Sequence, residues 1–151
     1  MIESVINTPV ALASNSSNVI FPIDDLRTKS ANCCGFLQHV QGSPLYKVLE
    51  GGIYEIDLSA TLTSATAGIV ALGLYQDGVL LPNTISAETI STAGNLANLS
   101  FHKKIRICCK ANSTLTIASV PSINAGATGL TPTTTQIPII TNGIFGIDRV
   151  C

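Results

Sequence analysis

Gly52-Ile53-Tyr54-Glu55-Ile56-Asp57-Leu58-Ser59-Ala60-Thr61-Leu62 carries the clearest structural signal in the chain. From Ile53 onward apolar and polar residues alternate, and in an extended backbone successive side chains point to opposite faces. Tyr54, Ile56, Leu58, Ala60 and Leu62 therefore share one face, and Glu55, Asp57, Ser59 and Thr61 share the other. The pattern predicts a strand over Ile53–Leu62 with one side in a core and the other polar.

Short runs of the same kind recur on both sides of this stretch, punctuated by Gly, Pro, Asn and Asp, and no segment holds a helical period beyond two turns. The chain reads as all-β, with strands expected at Val5–Ala13, Asn18–Pro22, Cys33–Val40, Leu45–Leu49, Ile69–Gln76, Val79–Leu81, Thr84–Ile90, Ala97–Cys109, Ser113–Val120, Gln136–Ile140 and Ile144–Val150. That density predicts a sandwich or barrel. Asp77-Gly78, between Tyr75 and Val79-Leu80-Leu81, can supply the two positive φ angles of a type I′ turn and marks a hairpin. Gly51-Gly52 and Asn142-Gly143 look like tight lead-ins to strands, and Asn124–Thr135, rich in Gly and Thr, looks like a long exposed loop. Such a loop either contacts a partner or serves only as a connection.

In Ala97–Cys109, Leu99, Phe101, Ile105 and Ile107 fall on one face, together with Lys103. Ser100, His102, Lys104, Arg106 and Cys108 fall on the other. If this strand neighbours Ile53–Leu62, then Glu55 and Asp57 can pair with His102, Lys104 or Arg106, within one sheet or across a subunit contact. The alternative is a solvated polar face with weak pairs.

The 151 residues fit one domain, with 8 Lys+Arg against 9 Asp+Glu and a formal net charge of -1. Hydrophobic residues make up 46% and charged residues 11%, against roughly 25% charged in ordinary soluble domains, which excludes disorder and leaves few charges to coat a monomer. Apolar or neutral surface is therefore expected between subunits, although Ser, Thr and Asn can also keep a weakly charged surface in water. Near-neutral, scattered charge lacks the footprint of a nucleic-acid binder. The longest apolar stretch, Ile69–Tyr75, is far too short for a membrane helix. Met1-Ile2-Glu3-Ser4 has an acid where a secretory signal carries positive charge, so the chain is expected to stay in the cytoplasm where it is made or to leave within a larger particle.

Catalytic chemistry finds little support. His39 and His102 are the two imidazoles and belong to no spaced ligand set, and there is no Gly-x-Ser-x-Gly elbow and no phosphate-binding or dinucleotide fingerprint. Asp24-Asp25, followed by Leu26-Arg27, reads as a charged surface loop rather than an acid–base pair or cation site. Cys33-Cys34 and Cys108-Cys109 are adjacent pairs, and neighbours on a strand point to opposite faces, so one zinc ion could not readily collect both members of a pair. Half-buried free thiols are the leading reading; one cross-link between the pairs stays open, and Cys151 could join subunits. Asn15, Asn98 and Asn112 begin glycosylation sequons that matter only in a secretory pathway. Neither an enzyme nor a cofactor or metal site is expected.

The order of these pieces resembles the ten-stranded jelly roll of the tumour necrosis factor and complement globular-head superfamily, in particular its short phage and bacterial members. Gly52-Ile53-Tyr54-Glu55-Ile56-Asp57-Leu58-Ser59-Ala60 is similar to the family's Gly-x-Tyr strand, and Val70–Leu74 with Asp77-Gly78-Val79 to its strand and hairpin. Gly143-Ile144-Phe145-Gly146-Ile147 resembles the closing strand, and Asn112–Ala118 the strand before it. The resemblance covers nearly the whole chain, residues 1–151, and implies a trimer-forming fold in which one sheet of each copy packs around a threefold axis. It assigns Tyr54, Phe101 and Phe145 to the subunit interface or the protomer core, with Glu55, Asp57, His102, Lys104 and Arg106 as polar candidates at the same contact. A chain without a collagen stalk is similar to the capsid decoration or head-fibre proteins of phages. A virion structural protein is therefore the expected role, attached to capsid or another virion protein through Met1–Asn7 or through loops at one end. The alternative is a trimeric head that recognises a receptor or host glycan through loops around Asn83 and Asn124–Thr135, on a phage fibre or a bacterial spore or cell surface. The lack of Trp and the presence of only three Tyr weigh against glycan platforms.

Overall fold

The computed structural model describes residues 1–27, 36–108, 112–123 and 132–150, with backbone alone at 24–27. These residues form fourteen strands: β1 (Ile2–Ile6), β2 (Val10–Ala11), β3 (Ile23–Arg27), β4 (Leu37–His39), β5 (Tyr46–Val48), β6 (Gly52–Ser64), β7 (Gly68–Gln76), β8 (Val79–Leu80), β9 (Ser86–Ile90), β10 (Ala97–Ile107), β11 (Ser113–Ser119), β12 (Ser122–Ile123), β13 (Thr133–Thr134) and β14 (Pro138–Arg149). One sheet runs β10-β6-β14-β1-β3 with β2 also on β14, and the second runs β4-β5-β11-β7-β8 with β9 also on β7. Two paths of five antiparallel strands make a ten-stranded jelly-roll sandwich, as expected. Among the described residues no helix is long and apolar enough to cross a membrane.

Alternation places the core. Tyr54, Ile56, Leu58, Ala60 and Leu62 of β6 are buried, as are Phe145 and Ile147 of β14. They face Val70, Leu72 and Leu74 of β7 and Leu115 and Ile117 of β11 across the sandwich. The centre is aromatic: Phe145 stacks on Phe21 at 5.6 Å between centroids and meets Tyr46 edge-on at 4.9 Å. At the β7–β8 hairpin Asp77 (φ 52°) and Gly78 (φ 81°) both adopt the left-handed conformation that a type I′ turn demands.

Four expectations need correction. Val5–Ala13 is not one strand, because β1 begins at Ile2 and Pro9, which has no N–H to donate, separates it from β2. Asn18–Pro22 forms no strand; Asn18 makes one bridge to Ala118, and the Val19 N–H donates to Ile117 O at 2.8 Å. Asp24-Asp25-Leu26-Arg27 is not a loop but most of edge strand β3, with the register slipping between Glu3 and Ser4 so that Asp25 has no partner on β1. Asn142-Gly143 does not start a strand either: β14 runs through it, and a bulge at Thr141 carries the register from Ile140↔Leu62 to Asn142↔Thr61. The Thr141 hydroxyl donates to Thr61 O at 2.9 Å and ties the bulge down.

Candidate functional site

β6 and β10 pair along the full length of β10, with His102 opposite Asp57, Lys104 opposite Glu55 and Arg106 opposite Ile53. Because the even positions of β6 point into the core, the odd positions and their partners stand on the outer face of the first sheet. There His102 Nε2 lies 3.0 Å from Glu55 Oε1, its Nδ1 faces Asp57 Oδ1, and Lys104 Nζ lies 3.6 Å from the same Glu55 oxygen. The pairing expected from the sequence is thus made within one sheet. Arg106 forms no ion pair among the described residues. The hydrogen bond to Asp57, and after it that carboxylate's charge, hold His102 above its ordinary pKa of 6.5; Glu55 adds to the rise, and desolvation and Lys104 oppose it. All these side chains are solvent-exposed or nearly so, which keeps the pairs weak in an isolated protomer.

The register extends these rows across the sheet. Asp57 neighbours Gly146 on β14, which neighbours Glu3 on β1; Glu55 neighbours Asp148, whose Oδ1 is 3.2 Å from the Met1 ammonium. One row over, Ser100, Ser59, Ile144 and Val5 stand side by side. Ile144 is 48% exposed although it sits on the central strand, and Ile53 on the same face is 40% exposed. Sequence reading passed over Ile144; its signal was the alternation of Ile144-Phe145-Gly146-Ile147, which sends Ile144 outward once Phe145 and Ile147 are inside.

The three rings separate cleanly. Tyr54 and Phe145 are fully buried between the sheets, and the Tyr54 hydroxyl donates to Glu50 O at 2.6 Å, so both belong to the protomer core. Phe101 is half-buried and packs against that core from the inner face of β10. Burial raises the Tyr54 phenol's pKa, with the nearby Arg149 guanidinium opposing. None of the three rings lies on the outer face.

The second sheet differs in that its outer side is covered around Gly73. A Cβ at Gly73 of β7 would come within 2.6 Å of Leu80 Cδ1 and 2.9 Å of Val120 Cγ2, and Ala71 beside it is buried. The remaining candidates have local structural explanations or fall outside the described residues. His39 is buried, stacks on the Tyr46 ring at 4.0 Å and places Nε2 2.9 Å from Ser43 O. Cys108 is free and exposed, while Cys33, Cys34, Cys109 and Cys151 lie outside the described residues. No group of three or more His, Cys, Asp or Glu among the described residues could hold a metal ion. Of the expected loop Asn124–Thr135, residues 124–131 lie outside the description; β13 pairs with β12, and Thr135, expected to be exposed, is buried with its hydroxyl donating to Val120 O. Asn83, the other loop candidate, adopts φ 59°.

No protein-family model and no curated protein sequence matches the chain. Solved structures do. The globular domain of the zebrafish complement 1qA protein matches with a TM-score of 0.64 at 13% identity, covering 99% of this chain and 96% of that one. The Eiger TNF of S. frugiperda matches with a TM-score of 0.62 at 7% identity, covering 99% of this chain and 91% of that one. At such identities the likeness speaks for architecture alone, and the architecture is the jelly roll shared by tumour necrosis factors and complement globular heads.

Proposed function

We propose that the chain is a homotrimeric head with a binding and structural role, and that it serves as a decoration or head-fibre protein on a phage capsid. The single observation that carries the assembly is the contrast between the two outer faces. The second sheet is covered around Gly73 by the chain's own side chains, whereas the first presents Ile144 on its central strand to water. Packing copies over Ile144 and Ile53 removes their exposed apolar surface from water. A trimer on a local threefold site of a shell would then multiply three weak contacts into one firm attachment.

β1 takes Ile2–Ile6 into the sheet between β14 and β3, so attachment through Met1–Asn7 would sacrifice two strand pairings. The loops at one end of the sandwich are the better candidates. At the Ser64 end of β6, Leu96 and Ile137 are exposed, each just before the strand, β10 or β14, that pairs with β6 there. The second reading, a receptor- or glycan-binding head, is supported by an open hollow lined by Ile85, Ser122, Ile123 and Pro132.

Light scattering with and without reductant tests the assembly: the expected native mass is about three times the 15.7 kDa protomer, unchanged by reductant. Ile144→Asp should reduce it to one protomer without loss of the β spectrum, since the side chain makes no core contact. A monodisperse wild-type monomer would overturn the trimer. Immunogold labelling of particles from the culture that carries the gene tests the virion role, and glycan-array binding by the trimer would favour the second reading.

A further inference from the structure

His102 uses both ring nitrogens on carboxylates, Nδ1 on Asp57 and Nε2 on Glu55. Only the imidazolium has two N–H donors; a neutral ring turns one lone pair toward a carboxylate oxygen. The cluster is therefore built around the protonated form. It also sets the charge balance among the described side chains of this outer face. Among the described side chains on β10, β6, β14 and β1, that face carries the carboxylates of Asp57 and Glu55, of Asp148 and of Glu3. Against them stand the cations of His102, Lys104 and Arg106 and the Met1 ammonium. Beyond the edge of β10, Ser86 of β9 accepts the Ser100 N–H, and Glu88 is the titratable group of that strand. With His102 protonated the four cations match the four carboxylates among these described side chains; without that proton this group carries one unmatched negative charge in each copy.

We propose that the proton on His102 gates the subunit seam, which closes while the imidazolium bridges Asp57 and Glu55 and loosens when the ring is neutral. This rests on the outer face of the first sheet being the interface. In a protomer, water screens the unmatched carboxylate. In a closed seam that charge loses its solvent and meets the same excess on neighbouring copies. By linkage, assembly then takes up protons, up to one per subunit, at pH values above the free protomer's His102 pKa. That pKa lies above 6.5, so the cluster's contribution to assembly is complete below that pH and is lost as pH rises through the assembled form's still higher value.

Subunit exchange between nitrogen-15-labelled and unlabelled protein, followed by native mass spectrometry between about pH 6 and pH 9, reads this directly. The wild type should exchange roughly tenfold faster or more at the upper end than at the lower. His102→Gln should remove the slope, and His102→Lys, which keeps a cation throughout, should exchange as slowly at the upper end as the wild type does at the lower. A wild-type trimer whose exchange ignores pH, or a His102→Gln trimer with the wild-type slope, overturns the gate and leaves the trimer standing. A wild type that is monomeric at every pH, or an Ile144→Asp variant that stays trimeric, overturns the interface itself.

Discussion

Gly73 shows what a single hydrogen atom in place of a side chain can accomplish in this molecule. It lies on the outward side of β7, where Leu80 and Val120 close over the strand, and the absent Cβ is the space they occupy. Gly73→Ala should force Leu80 and the buried Val120 apart and lower stability by about 1 kcal/mol. A midpoint shift in denaturant at unchanged slope would report it, and an unchanged midpoint would show that the cover over this face is loose. His102 and its two carboxylates were legible at this scale, because alternation in two strands put acids and bases on corresponding faces. Ile144 was harder to see. An isoleucine in a β-rich run reads as core by composition, and only its phase relative to Phe145 tells otherwise.

At the scale of elements, the β7–β8 turn joins sequence, geometry and packing. Asp77 accepts the Thr114 N–H at 2.7 Å and the Ser113 hydroxyl at 2.8 Å, so the residue that makes the turn also anchors it to β11. Asp77→Ala should lose these charge-assisted bonds and the tolerance for positive φ together, costing about 2–3 kcal/mol. Asp77→Asn keeps a residue that accepts φ of 52° and should cost less. Thermal melts of the two variants separate the contributions, and equal losses would mean that the turn conformation contributes nothing. Elements with this much local signal, Ile53–Leu62 and the Asp77-Gly78 hairpin, were readable from the chain. β3 was not, since Asp24-Asp25-Leu26-Arg27 has no alternation and is held as a strand by pairing with β1, a contact between distant residues. The Thr141 bulge hid in the same way: Asn142-Gly143 has the composition of a turn, but β6 on one side keeps the chain extended.

For the molecule as a whole, chain ends and interface are separable. Ile2 is the partner of Ile147, and the Val150 N–H donates to Ile53 O, so both ends of the chain leave from the same end of adjoining strands. The loop at 91–96 is exposed and lies at the opposite end, where the Gly94 N–H meets Ser64 O. A permuted chain, with the original ends joined by a flexible linker of about six residues and new ends opened between Ala93 and Gly94, keeps every strand pairing of both sheets. It should melt within a few degrees of the wild type. If assembly depends on the face bearing Ile144 rather than on a free N-terminal arm, the permutant should also keep the wild-type native mass. The linker removes the Met1 ammonium and leaves Asp148 as an unmatched negative charge at the rim of the face, so subunit exchange should quicken even where His102 is protonated, more in dilute salt than in concentrated salt. A folded permutant that is monomeric at all salt concentrations would place the determinant of assembly in the chain's ends, and with it the role of Met1–Asn7 that β1 otherwise takes over.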